Sequence, residues 1–177
     1  MSTVGTSPVA RPLARAATAR DVQRLLSHPD VIRYGWTVEY NGDVLVTVGL
    51  TACAPDYGAD RRDHYTLTLD CDSYDEWPPE VKFVNPATRT YVIGQDTKHL
   101  PNIVGFPNFG LHARFTSFHD RQREDQLVCF SLTRGYYDSS HVPQPHQRWT
   151  QGRHWLYSTL KVLHRALQPG YYRGRAT

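Results

Sequence analysis

Lysine is scarce in this chain. Lys82, Lys98 and Lys161 stand against seventeen arginines among its 177 residues. A GC-rich genome accounts for such a bias. The alternative is a chain that avoids its own amines because it carries an amine-reactive intermediate. Long apolar runs are missing too: no stretch of about 18 apolar residues occurs, which argues against a membrane-spanning helix. The opening segment, MSTVGTSPVARPLARAATAR, has arginines but no apolar centre, so it does not read as a secretory signal. Cysteine is limited to Cys53, Cys71 and Cys129, with no C-x-x-C pair and no metal-finger spacing. Free thiols in a reducing cytoplasm are the simplest expectation.

What is present describes a folded domain. Hydrophobic residues make up 40% of the chain, with four Trp, eleven Tyr and six Phe, enough to build one core. Residues 1–17 read as a flexible tail and residues 18–177 as a single domain. Charge is unevenly placed. Residues 39–80 hold ten acids against Arg61 and Arg62, whereas residues 141–177 hold six Lys/Arg and no acid. The basic end would attract nucleic acid, but no nucleic-acid-binding motif accompanies it. A basic helix and tail on a bipolar domain is the preferred reading.

The apolar pattern gives the element order. Thr18 to Leu26 predicts a helix, with Thr18 and Asp21 spaced as a capping box, Val22, Leu25 and Leu26 on one face, and His28-Pro29 as its stop. Trp36, Val38 and Tyr40 alternate before Asn41-Gly42, and Val44, Val46, Val48 and Leu50 alternate after it. That is a hairpin signal, because the turn favours residues that tolerate positive φ. Tyr65, Leu67 and Leu69 mark a third strand, and Val81 and Phe83 a fourth. Residues 85–128 lack clear periodicity and predict a long irregular segment. Leu156, Leu160, Leu163 and Leu167 predict a closing helix over Gln151–Leu167, capped by Thr150 and stopped by Pro169-Gly170. A helix, a four-stranded antiparallel meander, an irregular segment and a helix make an α+β domain.

Three local motifs occur in that order: YDEWPPEVKF at Tyr74–Phe83, LVCFSL around Cys129, and Trp149 ahead of the last helix. Together they resemble the ubiquitin-conjugating enzyme family over Thr18 to Leu167. YDEWPPEVKF looks like the family's turn followed by PP-x-V-x-F, and LVCFSL looks like its active-site cysteine segment. The family usually carries His-Pro-Asn shortly before the cysteine. Here His119 lies ten residues before Cys129, followed by Asp120 and Arg121 instead of Pro and Asn. KHLPNI, with His99, Pro101 and Asn102, is a second and looser match. The Cys129–Trp149 spacing is also longer than usual. This divergence fits a bacterial branch of ubiquitin-like conjugation, for which antiviral defence is the implied setting.

The resemblance implies an acyltransferase. Cys129 would accept the C-terminus of a ubiquitin-like protein from an ATP-dependent activating enzyme, hold it as a thioester, and pass it to a protein substrate amine. No small-molecule cofactor and no metal are implied, since the activating enzyme consumes the ATP. A thiol suits the task because its thiolate is both nucleophile and leaving group. Arg121, Arg123 and Arg134 lie close enough in sequence to favour the anion. His119, Asn102 or a backbone amide would stabilise the tetrahedral oxyanion, and Asp138 or a histidine would deprotonate the incoming amine. Lysine scarcity then has a second meaning, protection from self-modification. Three readings compete with this one. Cys129 is a buried structural thiol beside Leu127 and Phe130; the domain is a catalytically silent binding module of the same fold; or Cys129 joins His141, His146 and His154 around a metal, at gaps that match no finger pattern. Exposure of Cys129 separates a carrier from a silent module. Tyr136, Tyr137, Trp155 and Tyr157 read as core or as a partner surface.

Overall fold

The computed structural model describes residues 10–58, 60–117 and 124–177. The order is α1 (Ala10–Leu26), α2 (Pro29–Tyr34), β1 (Thr37–Tyr40), β2 (Leu45–Ala52), β3 (Asp63–Asp70), β4 (Glu80–Val84), β5 (Pro101–Ile103), β6 (Gly110–Thr116), β7 (Glu124–Cys129), α3 (Arg134–Asp138), α4 (Leu156–Ala166) and β8 (Tyr172–Arg175). Strands β1 to β4 form one antiparallel sheet in sequence order, while β5 pairs with β8 and β6 with β7. The architecture is α+β, with an N-terminal helix and a four-stranded antiparallel sheet. No helix among the described residues is long and apolar enough to cross a membrane.

The meander follows the alternation of its sequence. Val46 faces Leu69 and Val48 faces Leu67 across β2–β3, and Leu67 faces Phe83 and Leu69 faces Val81 across β3–β4. All of these side chains are buried, because a period of two sends alternate residues to one face. Against that face lie Val22 and Leu25 of α1 and Leu156, Leu160 and Leu163 of α4. The β1–β2 turn is wider than a two-residue hairpin, since Tyr40 pairs with Val46. Gly42 takes the positive φ (86°) that the turn requires, and the Tyr40 hydroxyl donates to the Asp43 carbonyl.

Four features differ from the sequence expectation. Helix α1 begins at Ala10, so residues 10–17 are helical and not part of a tail. The Ala- and Arg-rich segment carries good helix formers upstream, and Thr18, with its hydroxyl on the Ala14 carbonyl, is a mid-helix residue and not a cap. Pro29 ends α1 but starts α2, at a position where proline's missing N–H costs nothing. Helix α4 begins at Leu156 and not Gln151, because Gly152 takes φ 80° and breaks the run. The Trp155 N–H is then satisfied by Ser158 Oγ. Finally, the segment expected to be irregular contains β5, β6 and part of β7. A bulge between His112 and Phe115 interrupts the alternation of β6. The basic C-terminal stretch ends in β8, which buries Tyr172.

Side-chain bonds join these pieces. Gln126 of β7 donates to the Phe83 carbonyl and accepts from the Phe83 N–H at 2.7 Å. One amide thus closes the open edge of β4 at that position and fixes the β6–β7 hairpin to the meander. Tyr74 is buried, donates to Asp21 of α1 at 2.5 Å, and accepts from the Leu156 N–H at the start of α4. The Trp149 ring N–H donates to the Asp75 carbonyl. The YDEWPP turn therefore holds α1, α4 and the segment before α4 in register.

Candidate functional site

Cys129 ends β7, directly opposite Gly110 of β6. The chain then turns sharply. Thr133, fully buried, bonds through its hydroxyl to the Val128 and Phe130 carbonyls. This turn launches α3, a short helix that runs back over the end of β7. Ser139 closes it, with its N–H on the Gly135 carbonyl and its hydroxyl 3.0 Å from the Tyr136 carbonyl. Ser140 adopts φ 62° and reverses the chain. His141 returns to stack on Tyr136, with centroids 4.9 Å apart.

The reversal builds a three-residue cluster. His141 Nδ1 lies 2.8 Å from Ser139 Oγ and 3.7 Å from Cys129 Sγ, and Ser139 Oγ lies 3.8 Å from the same sulfur. At 3.7–3.8 Å the sulfur contacts are within reach of a weak S–H donor. Such an arrangement allows the thiol proton to pass to the imidazole, leaving a thiolate beside an imidazolium. At rest the thiol form is favoured, because burial raises the Cys129 pKa and the Ser139 hydrogen bond only partly offsets it. Cys129 is 8% exposed, whereas His141 is exposed. Gly110 keeps the neighbouring face open: a Cβ there would stand 3.2 Å from His112 Nε2 and 3.6 Å from the Cys129 Cβ.

The other expected site residues fall elsewhere. Asn102 is exposed on β5, in the separate β5–β8 pair, and His99 approaches the Asp96 carboxylate at 3.9 Å. Asp138 is one residue from Ser139 but forms an ion pair with Arg134 at 3.0 Å. Arg134 also covers the Trp77 ring, so its charge is engaged away from the sulfur. His119, Asp120, Arg121 and Arg123 lie outside the described residues. Of His141, His146 and His154, the histidines of the metal reading, only His141 reaches Cys129. His154 Nδ1 accepts the Thr150 N–H, and no group of His, Cys, Asp or Glu among the described residues is arranged to hold a metal ion. The aromatic residues divide in use. Tyr137 bridges the Ser131 carbonyl and the Trp149 N–H, Tyr157 donates to Asp30, and Trp155 is buried under Arg24.

Sequence reasoning missed Ser139 and gave His112 no weight. Ser139 follows Cys129 by ten positions in a stretch with no periodicity. His112 pairs with Leu127, two residues before the cysteine, only because of the β6–β7 register, and the bulge hides that register from sequence. Cys71 supplies a contrast: it is fully buried against the helix α1 side of the sheet, and burial pushes its thiol pKa far up. No protein-family model matches the chain, and no curated protein matches it significantly.

Proposed function

We propose that this chain is a ubiquitin-conjugating-enzyme-like protein that carries a ubiquitin-like modifier on Cys129. The observation that carries the reading is the cluster at the end of β7, where a histidine nitrogen and a serine hydroxyl meet the sulfur. The element order and the YDEWPP turn, anchored by Tyr74 and Trp149, support membership of that fold. In the first step the Cys129 proton passes to His141, and the thiolate attacks the thioester carbonyl that joins the modifier to its activating enzyme. A new C–S bond forms, the old one breaks, and the activating enzyme's thiolate leaves and takes the proton from His141, which is neutral again for the second step. In the second step a substrate amine attacks the Cys129 thioester. The Cys129 thiolate leaves, an amide forms, and the amine's proton returns to His141. Ser139 holds the imidazole in place and offers its hydroxyl to developing negative charge. His119, Asn102 and Asp138 keep only their sequence-based candidacy for the oxyanion and proton roles. A cytoplasmic, bacterial setting belongs to the same reading.

A second reading has its own observation. The low exposure of Cys129 and its raised pKa favour a silent module that holds a ubiquitin-like protein or a partner enzyme without accepting it. Alkylation of native protein with iodoacetamide separates the two. A carrier reacts at Cys129 while folded, and His141→Ala slows that reaction by about tenfold or more near neutral pH, at or below what loss of a general base typically costs. A Cys129 that is alkylated only after unfolding, with no effect of His141→Ala, contradicts the carrier reading.

A further inference from the structure

A cavity of about 340 Å³ lies between α1 and the segment that leads into α4. It shares no lining residue with the Cys129 cluster. Arg20, Asp21 and Arg24 of α1, Asp75 of the YDEWPP turn, and His154 and Trp155 ahead of α4 stand in its walls. Its carboxylates are already satisfied. The Arg20 guanidinium donates to both carboxylate oxygens of Asp21 at 2.9 Å and to Asp75 Oδ2 at 3.1 Å. Asp21 also accepts from Tyr74, and Asp75 Oδ1 accepts from Gln151 Nε2 at 2.8 Å. All four oxygens therefore have a donor. The two acids are also set back from solvent. Their side chains are 2% and 12% exposed, against 61% for Arg20, so the cavity turns positive charge outward.

The remaining donors are unspent. The Arg24 guanidinium stands 3.9 Å from the centroid of the Trp155 ring and has no hydrogen bond or ion pair with any described residue. An aromatic face holds a guanidinium in place and leaves its N–H edge free. On the wall ahead of α4, His154 Nδ1 accepts the Thr150 N–H at 2.9 Å. A neutral imidazole that accepts at Nδ1 carries its proton on Nε2, and burial together with the Arg153 charge lowers the His154 pKa, which keeps the ring neutral at pH 7. That Nε2–H has no acceptor among the described residues. Arg153 is exposed and makes no ion pair among them either. From these free donors beside satisfied carboxylates we infer that the cavity is a binding site for a phosphate group. Only donors remain, so an anion is the ligand they can satisfy. The Arg24 edge offers a fork to two oxygens, and His154 Nε2–H offers a bond to a third. A phosphate monoester supplies three acceptor oxygens and close to two negative charges. The site does not depend on whether Cys129 carries an acyl group.

The phosphate has two sources, the free ion or a phosphomonoester on a larger molecule. Full-length protein in a phosphate-free buffer of low ionic strength is titrated with sodium phosphate in one arm and Nα-acetyl-O-phosphoserine methylamide in the other. Sodium acetate is the carboxylate control. Proton–nitrogen correlation spectra read the Trp155 indole and the Gly152 and His154 amides. Saturable shifts at these groups are expected in at least one phosphate arm. Arg24→Gln should raise the half-saturation point about tenfold or more, the scale of a lost charge-assisted bond. His154→Asn keeps an acceptor for the Thr150 N–H and removes the Nε2 donor; about a fivefold weakening is expected. Arg24 is exposed, so Arg24→Gln leaves the core intact, which near-ultraviolet circular dichroism checks. Tighter binding of the phosphoserine derivative identifies a phosphomonoester, and equal binding of inorganic phosphate identifies the free ion as sufficient. No saturable shift at these groups in either phosphate arm, unchanged binding in either variant, or acetate bound as tightly as phosphate overturns the inference.

Discussion

Glu80→Gln tests the electrostatics of the fold. In the folded protein burial holds the Glu80 pKa at about 7, against an ordinary 4.5. The folded state thus binds this proton more tightly than the unfolded chain does. Its contribution to stability is fully present below pH 4.5 and is lost as pH rises through 7. A shift of that size corresponds to about 3 kcal/mol of lost stability at pH 8, of which about 2–3 kcal/mol is lost between pH 5 and pH 8. Glutamine has no such titration. Urea unfolding followed by circular dichroism at pH 5 and at pH 8 measures both chains. The stability difference, variant minus wild type, should grow by about 2–3 kcal/mol from the lower pH to the higher. Taking this difference cancels other groups that titrate in the window, His164 among them. A constant difference across the two pH values refutes the claim that burial raises the Glu80 pKa.

Three further outcomes follow from named bonds. Gln126→Ala leaves both Phe83 backbone groups without their partner and should cost about 2–4 kcal/mol by urea unfolding. Tyr74→Phe removes the bond to Asp21 and leaves the Leu156 N–H unpaired; a loss of about 1–3 kcal/mol is expected in the same assay. His164 accepts the Trp36 ring N–H on Nδ1 and stacks on Tyr34, and burial lowers its pKa below the ordinary 6.5. Its contribution to stability is therefore full above pH 6.5 and is lost as pH falls through its lower folded value. Thermal melts between pH 7.5 and pH 5 should show a steeper loss for wild type than for His164→Gln.

The meander was legible because its core residues repeat with period two and its turns carry their own chemistry. Val46, Val48, Leu67, Leu69, Val81 and Phe83 all face inward as their spacing requires. The four leucines ending at Leu167 likewise marked the buried face of α4. Helix starts were harder to read. Thr18 and Thr150 have capping side chains, yet helix propensity carried α1 past the first, and Gly152 prevented α4 from reaching the second. The β6–β7 hairpin was invisible because its bulge breaks the alternation. β5 and β8 pair although residues 104–171 separate them, which no local pattern reports. Cys129 was legible as a candidate only through the motifs around it. Ser139 was brought to it by the end of α3 and His141 by one left-handed residue, Ser140, and no sequence rule places a serine there.

The central claim is that Cys129 carries an acyl group. Intact mass spectrometry of Cys129→Ser protein recovered from its native host tests it most directly. A serine ester survives work-up better than a thioester does, so a transferred modifier stays attached. A discrete, protein-sized mass increase on Cys129→Ser, missing from Cys129→Ala, is the expected result. Unmodified Cys129→Ser, with a wild-type Cys129 that resists alkylation until the protein is unfolded, would contradict it.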